Sequence, residues 1–434
     1  MAGIFQYLVS FMDLFYISET CFKVAAAFYL VGTVLYLLYL ALRRDLAGRV
    51  ATYISVTALL FHTGGLAARW MEAGINHPPF TNLYESLLFF AWGIVLFYLV
   101  LEWRYKFKAG GAFIIPVAVG AMAAAVLNPE SGKDIHALMP ALQSYWLHAH
   151  VAVAALAYAG FVAAFGTSLM FIIKDGTPVR WLGFSSNLFM AFMLLISDRF
   201  NILIHRVFTL NQVRDGQVTD KLAGFPIPGI ILLIAAVYFI IAAVLYLYRT
   251  EERPAKARTI LGIPFGPFVT MLGTVFTLAA LLLLVRAALT SDTVALFGNP
   301  FKIIILALVV FVGTASFIFD LKLSALREIL PRPELLDSIT YQTITVAFPL
   351  MTMVIITGMV WAKVAFGQYW QWDPKETASL ITWIIYTGYL HAKVSLDWPP
   401  RRVAAIAILG FASVVFTYLG VNAIGTGYHS YAGF

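Results

Sequence analysis

Residues 146–173 read WLHAHVAVAALAYAGFVAAFGTSLMFII, a run without a single Asp, Glu, Lys or Arg. A helix needs about 20 predominantly apolar residues to cross the hydrocarbon core of a bilayer. Because lipid offers no hydrogen-bond partners, such a segment must close its backbone hydrogen bonds within itself, as an α-helix does. This run therefore predicts a transmembrane helix.

The whole chain is strongly apolar, as residues 146–173 are. Of its 434 residues, 61% are hydrophobic and only 12% are charged, with a mean hydropathy of +0.85. Soluble domains are roughly 45–50% apolar and about 25% charged, so the composition excludes a soluble enzyme and a nucleic-acid-binding protein. The single cysteine, Cys21, excludes an internal disulfide and a cysteine metal site. The chain is predicted to be a polytopic membrane protein.

Further apolar windows complete the predicted fold. Together they indicate an all-α fold, a polytopic transmembrane helix bundle of about 12 spans. The first 19 residues carry no Lys or Arg, so no cleavable signal is expected. The predicted spans are residues 20–42, 50–69, 83–102, 111–127, 146–173, 182–199, 226–248, 265–290, 300–321, 341–361, 378–396 and 402–424.

The charges of the loops predict the orientation. With the N-terminus outside, the inner loops carry more than twice as many Lys and Arg residues as the outer loops, as the positive-inside rule requires. Both termini are then predicted on the outer, periplasmic side. The weakest span, 182–199, could instead be an interfacial helix. Without it, however, the basic segment RTEERPAKAR at 249–258 would fall outside.

Three features share the predicted outer face. The loop at 361–376 reads WAKVAFGQYWQWDPKE, His150 lies at the start of the fifth span, and His429 follows the last span. Haem iron takes axial histidines, and aromatic rings stack on porphyrin faces, so the combination favours a haem site. Each feature alone has an ordinary explanation. Trp and Tyr anchor helices at membrane interfaces, and a single histidine near a helix end is often packed or solvated.

The stretch FGQYWQWDPKETASLITWIIYTGYLHAK, residues 366–393, resembles the tryptophan-rich WWD signature of haem-handling membrane proteins. More narrowly, the chain is similar to the CcsA (ResC) family of System II cytochrome c biogenesis. Residues 65–90, which read GLAARWMEAGINHPPFTNLYESLLFF, resemble the amino-terminal segment of that family. Residues 144–161 and 418–434 resemble its two outer-face histidine segments.

The resemblance implies a haem site on the outer face, with His150 and His429 as the axial ligands of the iron. A catalytic platform would present the haem and bind its ring. The members of this platform would be Trp361, Trp370, Trp372 and Asp373. His391, within span eleven, would ligate the iron of a second haem inside the membrane, on the route by which haem crosses.

The implied reaction joins haem b, as substrate and bound ligand, to the cysteines of a CxxCH motif on apocytochrome c through thioether bonds. The chain has no CxxCH motif of its own, so it would be part of the synthase and not its substrate. A membrane subunit of the ResB (CcsB) type would be its partner and would supply the second ligand to the haem at His391. The implied location is the inner cell membrane, with the site facing the periplasm.

Two departures from the family pattern stand out. Phe366 and Ala378 occupy positions where the family usually has Trp, which reduces the aromatic platform. About four spans within 175–321 do not match the usual shorter member, and their role is unassigned. The sequence therefore predicts an N-terminal membrane region (1–174), an inserted membrane region (175–321) and a WWD-type C-terminal region (322–434).

A haem transporter or a di-haem electron carrier is the alternative function. Either one needs two histidine pairs on matched helices. The predicted span ends put His62 about 10 Å deep and His391 about 20 Å deep, so the two are poorly matched. His62 is therefore expected to be a packed polar residue.

Several other polar residues have structural interpretations. Asn82, followed three residues later by Glu85, predicts a helix capping box, which makes a structural role the better one for the nearby His77. Lys363 and Lys375 could pair with haem propionates, and solvation explains them equally well.

Overall fold

The computed structural model of the protein describes residues 13–42, 44–74, 77–126, 143–176, 209–214, 217–222, 259–260, 263–264 and 326–420. The chain divides into two compact units. One unit comprises Met1–Asp175 together with Ile329–Phe434, and the other comprises Gly176–Glu328. The predicted spans 182–199, 226–248, 265–290 and 300–321 lie outside the described residues.

The first unit is built from eight described helices. Six of the eight helices are long and apolar enough to cross a membrane, which confirms a multi-pass helical membrane protein. These six are α1, α2, α3, α5, α6 and α8. The bounds are α1 Leu14–Leu42, α2 Asp45–Ala73, α3 Leu83–Tyr105, α4 Gly111–Val126, α5 Tyr145–Lys174, α6 Pro333–Phe366, α7 Pro374–Val394 and α8 Pro400–Val415, with a 3₁₀ turn at Lys108–Gly110 and a π-helical turn at Phe416–Gly420.

The described strands of the second unit form two short antiparallel hairpins. Strands β1 (Thr209–Arg214) and β2 (Gln217–Leu222) pair with each other, as do β3 (Thr259–Ile260) and β4 (Ile263–Pro264). These strands were not expected, because the sequence predicts an all-α fold. Both hairpins fall in segments between predicted spans, where the sequence is too polar to be a transmembrane helix, so the described apolar windows remain helical.

The helices of the first unit run antiparallel, which gives the bundle two distinct ends. At one end, which we call the His150 end, the Nδ1 atom of His150 lies 2.8 Å from the carbonyl oxygen of Val354, and the Ser86 and Tyr418 hydroxyl oxygens are 2.8 Å apart. The start of α5 therefore meets the second half of α6, and the start of α3 meets the turn that follows α8.

Ion pairs mark the opposite end of the bundle. Lys393 Nζ lies 2.6 Å from Asp337 Oδ2, and Arg401 Nε lies 2.7 Å from Asp175 Oδ2. The end of α7 therefore meets the start of α6, and the start of α8 meets the chain just beyond α5. This arrangement places the loop between α6 and α7 at the His150 end.

Small residues let α5 approach α6 closely, and aromatic rings join α5 to α7. A Cβ on Gly160 would lie 2.7 Å from the Cβ of Ala347, so only glycine permits this separation of α5 and α6. The ring of the neighbouring Phe161 stacks on Tyr386 of α7, with centroids 3.7 Å apart. Close approach through small residues is the usual way in which helices associate in lipid, where hydrophobic burial alone gives little driving force.

Candidate functional site

A carbonyl oxygen of α6 fixes which ring nitrogen of His150 carries a proton. Its Nδ1 atom lies 2.8 Å from the carbonyl oxygen of Val354. A carbonyl can only accept a hydrogen bond, so Nδ1 carries the proton, and a neutral ring then has its lone pair on Nε2. Histidines that ligate metals characteristically donate the other ring N–H to a carbonyl or carboxylate in this way. The tautomer of His150 is therefore the one that an axial ligand requires.

Two residues of α6 confine the imidazole ring. A Cβ on Gly358 would lie only 2.9 Å from Cε1 of His150, so the absence of a side chain makes room for the ring. The indole of Trp361, one turn further along α6, lies nearly parallel to the imidazole, with centroids 6.5 Å apart and planes inclined by 16°. The ring of His150 is thus oriented by α6, and its half-buried side chain retains access from outside.

Trp361 is behind His150 and not on the surface. Only 1% of the residue is exposed, and it packs against Leu147, Val151 and Phe366. Phe366 meets the indole edge-on at 5.4 Å, so a phenyl ring at this position still serves the packing. The structure separates Trp361 from the exposed part of the predicted platform and makes it a support for His150.

The exposed part of the platform lies in the loop between α6 and α7. Helix α6 ends at Gly367, whose φ of 82° is the left-handed conformation that glycine readily adopts. Trp372 is 70% exposed, and Trp370 meets it edge-on at 5.8 Å. Trp372 itself has a φ of 56°, which is uncommon for a bulky residue and marks local backbone strain. The loop therefore projects an indole from the His150 end.

Asp373 begins α7 as its N-cap. Its side chain accepts hydrogen bonds from the Lys375 amide, at 2.9 Å, and from the Glu376 amide. Glu376 Oε2 in turn accepts from the Asp373 amide at 3.3 Å, which completes a capping box. Pro374 occupies the first helical position, where its missing N–H costs nothing. Anchoring of Trp and Tyr at a membrane interface does not account for an Asp-Pro pair. Asp373 and Pro374 instead define the start of α7, directly after Trp372.

Two lysines flank this loop. Lys363 Nζ donates to the carbonyl oxygen of Gly367 at 2.8 Å and lies 5.6 Å from the centre of the Tyr369 ring. Lys375 precedes the predicted span 378–396. Burial lowers the pKa of Lys375 to about 8, and the neighbouring Asp373 carboxylate opposes this shift. Lys363 thus lies beside the exposed Tyr369, and Lys375 lies beside Asp373 at the start of α7.

His391 lies far from the His150 end. It is in the last turn of α7, exposed, and two residues before Lys393, which pairs with Asp337 at the opposite end of the bundle. Its position is about 26 Å along the helix axis from Pro374, at 1.5 Å per residue. The structure thus puts His391 three residues from the end of α7 that is opposite the His150 end.

His62 is enclosed between α1 and its neighbours, with no exposed surface. Its Nδ1 atom lies 3.3 Å from the Tyr29 hydroxyl, and Phe22 meets the ring edge-on. This packing agrees with the expectation of a packed polar residue.

A buried polar network before α3 is more extensive than its sequence pattern indicates. Asn82 caps α3 as predicted, accepting from the Glu85 amide at 2.8 Å. The Glu85 side chain does not complete the box. It instead receives Arg69 Nε at 2.7 Å and the amide of Thr81 at 2.9 Å. The predicted capping box is therefore correct only for its Asn82 half, because a buried arginine competes for the carboxylate.

The remaining predicted residues are Ala378 and His429. Ala378 is buried in the first turns of α7. His429 lies outside the described residues, which end at Gly420 in the turn after α8, at the His150 end. Of the predicted site residues that the structure describes, His150, Trp361, Trp370, Trp372 and Asp373 share the His150 end and His391 does not.

Comparisons with known proteins agree with this architecture. A family model described as "Cytochrome C assembly protein" matches residues 80–429. The chain is similar to proteins named "Cytochrome c biogenesis protein CcsA" from Gloeobacter violaceus (32% identical over 94% of this chain and 94% of that protein), Nostoc sp. (34%, 89% and 88%) and Synechococcus sp. (32%, 94% and 91%). Residues 175–321 lie inside the range that the family model matches. The predicted membership is confirmed: the chain belongs to the CcsA family of cytochrome c assembly proteins.

Proposed function

We propose that this protein acts in cytochrome c biogenesis by binding haem at the His150 end of its bundle and presenting it for covalent attachment to apocytochrome c. Membership of the CcsA family supports the process. The observation that carries the site is the orientation of His150, whose Nδ1–H is committed to Val354. An imidazole with its proton on Nδ1 and its lone pair on Nε2 is the tautomer that ligation of haem iron requires.

The donor set fits haem better than a bare metal ion. Among the described residues, no group of three or more His, Cys, Asp or Glu side chains could hold a metal. Haem needs only axial ligands from the protein, because the porphyrin supplies the other four nitrogens. His429 is the proposed second ligand, and the exposed indole of Trp372 is the proposed contact for the porphyrin face.

The chemistry adds each cysteine S–H across a haem vinyl group. Sulfur bonds to one vinyl carbon, the proton goes to the other, and no net oxidation occurs. In the proposed mechanism His150 and the Trp372 loop fix the haem, so that the vinyl carbons meet the CxxCH thiols at high effective concentration. Positioning of this kind can supply about 7–11 kcal/mol of a barrier. Asp373 contributes by fixing the loop at the start of α7.

The partner and the second haem site remain part of the proposal. A membrane subunit of the ResB (CcsB) type would pack against α7, where His391 is exposed, and would supply the second ligand there. The site would face the periplasm from the inner membrane. A di-haem carrier within one chain is less well supported, because His62 is fully enclosed by Phe22, Tyr29 and their neighbours.

The test is the absorption spectrum of the purified chain. We expect haem to co-purify with a low-spin spectrum that is lost in His150→Ala and His429→Ala and restored by added imidazole. His205→Ala is the matched control, since no role is proposed for that histidine, and it should leave the spectrum unchanged. A spectrum that depends only on His391 would favour a transporter or electron carrier. A spectrum that depends on none of these histidines would refute the site.

A further inference from the structure

A buried ion pair anchors the loop that precedes α3. Arg69 Nε of α2 lies 2.7 Å from Glu85 Oε1 in the first turn of α3, and their side chains are 1% and 0% exposed. The Arg69 guanidinium also lies over the ring of Tyr84, 5.1 Å from its centre. Buried ion pairs contribute little net stability compared with apolar residues, because both charges lose their hydration. Their geometric constraint is therefore a better explanation for this pair.

The second carboxylate oxygen of Glu85 organises the loop itself. Glu85 Oε2 accepts hydrogen bonds from both the backbone amide and the hydroxyl of Thr81, each at 2.9 Å. Since the Thr81 hydroxyl gives its proton to Glu85, its oxygen accepts from His77 Nε2 at 2.7 Å. A continuous polar chain thus runs from His77 through Thr81 and Glu85 to Arg69.

This anchored loop and the start of α3 contact two other elements at the His150 end, the start of α5 and the turn after α8. Phe80, next to Thr81, meets the ring of His148 edge-on at 6.3 Å, and His148 precedes His150 by two residues on α5. Ser86, next to Glu85, bonds to the Tyr418 hydroxyl at 2.8 Å. Tyr418 lies in the turn after which the chain continues to His429.

We propose that Arg69 and Glu85 are a positioning pair for the outer-face haem site. By holding Phe80 against the start of α5 and Ser86 against the turn after α8, the pair sets the separation between the segment of His150 and Tyr418, from which the chain continues to His429. Neither residue touches the haem. The inference rests on the proposed function, because it assigns a role toward the same two ligands.

The first test compares haem ligation in Glu85→Gln with wild type. We expect about tenfold weaker haem retention, the scale typical of residues that orient metal ligands. A shift from low-spin to high-spin haem should accompany this loss and be reversed by imidazole. Asp175→Asn is the matched control: it removes the Arg401 ion pair at the opposite end and should leave the spectrum unchanged. An unaltered spectrum in Glu85→Gln would overturn the proposal.

A second variant separates positioning from stability. The double variant Arg69→Met with Glu85→Gln removes both charges. Its unfolding temperature should therefore be closer to that of wild type than the unfolding temperature of Glu85→Gln alone, whereas its haem spectrum should remain high-spin. The charge reversal Arg69→Glu with Glu85→Arg should recover part of the low-spin signal. A double variant that regains both properties would show that the pair acts only through stability.

A haem-independent measurement distinguishes failure of this inference from failure of the proposed function. In a Cys21→Ser background, Phe80→Cys and His148→Cys can be joined by a short bifunctional thiol reagent. We expect efficient cross-linking, and its loss when Glu85→Gln is added. If wild type binds no haem at His150, the proposed function fails. The cross-link does not depend on haem, so it tests separately whether Arg69 and Glu85 hold the loop against α5. A cross-linking yield that Glu85→Gln leaves unchanged would overturn the positioning role of the pair.

Discussion

The imidazole of His150 and the indole of Trp361 lie nearly parallel, inclined by 16°, although 211 positions separate them in the sequence. His150 lies in the second turn of α5 and Trp361 lies near the end of α6, so the antiparallel packing of these helices creates the contact. The indole supports the ring from the side away from solvent, while the Val354 carbonyl sets its tautomer. An orientation fixed from two directions is what a strong axial ligand needs.

Trp361→Ala should therefore damage both stability and ligation. Truncation of a buried Trp typically costs about 3–5 kcal/mol, and His150 loses its support. Thermal unfolding should show the lower stability, and the spectrum should show partial high-spin haem. Trp361→Phe should recover most of both. An unchanged spectrum in Trp361→Ala would mean that the indole does not orient the imidazole.

Gly358→Ala should displace His150, because the added Cβ would lie 2.9 Å from the imidazole Cε1. Overpacking of this kind costs about 1–3 kcal/mol, and the change should weaken haem ligation. Gly388→Ala is the control, since its Cβ would meet nothing within 4 Å. That substitution should stabilise α7 by about 0.5–1 kcal/mol. Comparable spectra for the two variants would contradict the placement of His150 against Gly358.

Trp372→Ala should weaken haem retention with little effect on folding. The indole is 70% exposed, and exposed substitutions usually change stability by about 0.5 kcal/mol or less. Loss of a stacking contact worth about 0.5–1.5 kcal/mol corresponds to roughly 2- to 10-fold weaker binding. Haem titration and thermal unfolding measure the two effects separately. Retention equal to wild type would remove Trp372 from the platform.

Asp373 can be tested for capping against direct chemistry. Asp373→Ala removes the N-cap of α7 and should cost about 0.5–2 kcal/mol. Asp373→Asn keeps the capping oxygen and should retain nearly all stability and haem attachment. If Asp373→Asn folds normally but fails to attach haem, the carboxylate charge itself takes part in the reaction.

The lowered pKa of Lys375 gives a pH dependence. With a folded-state pKa of about 8, below the ordinary value of 10.5, the unfolded chain binds this proton more strongly between those pH values. The contribution of Lys375 to stability therefore increases as pH rises through that window. If Lys375 pairs with a propionate, haem retention should instead fall as pH rises past about 8. Lys375→Arg keeps its charge and should abolish the fall, whereas a fall that persists in Lys375→Met excludes the pairing.

The sequence by itself determined the membrane helices, because a long apolar run in lipid has one way to satisfy its backbone. The windows behind α1, α2, α3, α5, α6 and α8 are each continuous in sequence and needed no information about neighbours. The capping role of Asn82 was equally local. The family followed from contiguous motifs, and the same motifs contain His150, Trp372 and Asp373.

Tertiary structure alone decided how these residues act. Whether Trp361 is exposed or supports His150 depends on which face of α6 meets α5, and a single sequence does not specify that contact. The same holds for Glu85, whose carboxylate binds Thr81 with one oxygen and Arg69 from α2 with the other, in place of the expected Asn82 amide. Local patterns report interactions within a helix, while burial brings in competing partners from distant helices. The fold class was therefore readable from the sequence, and the division between ligands, supports and caps was not.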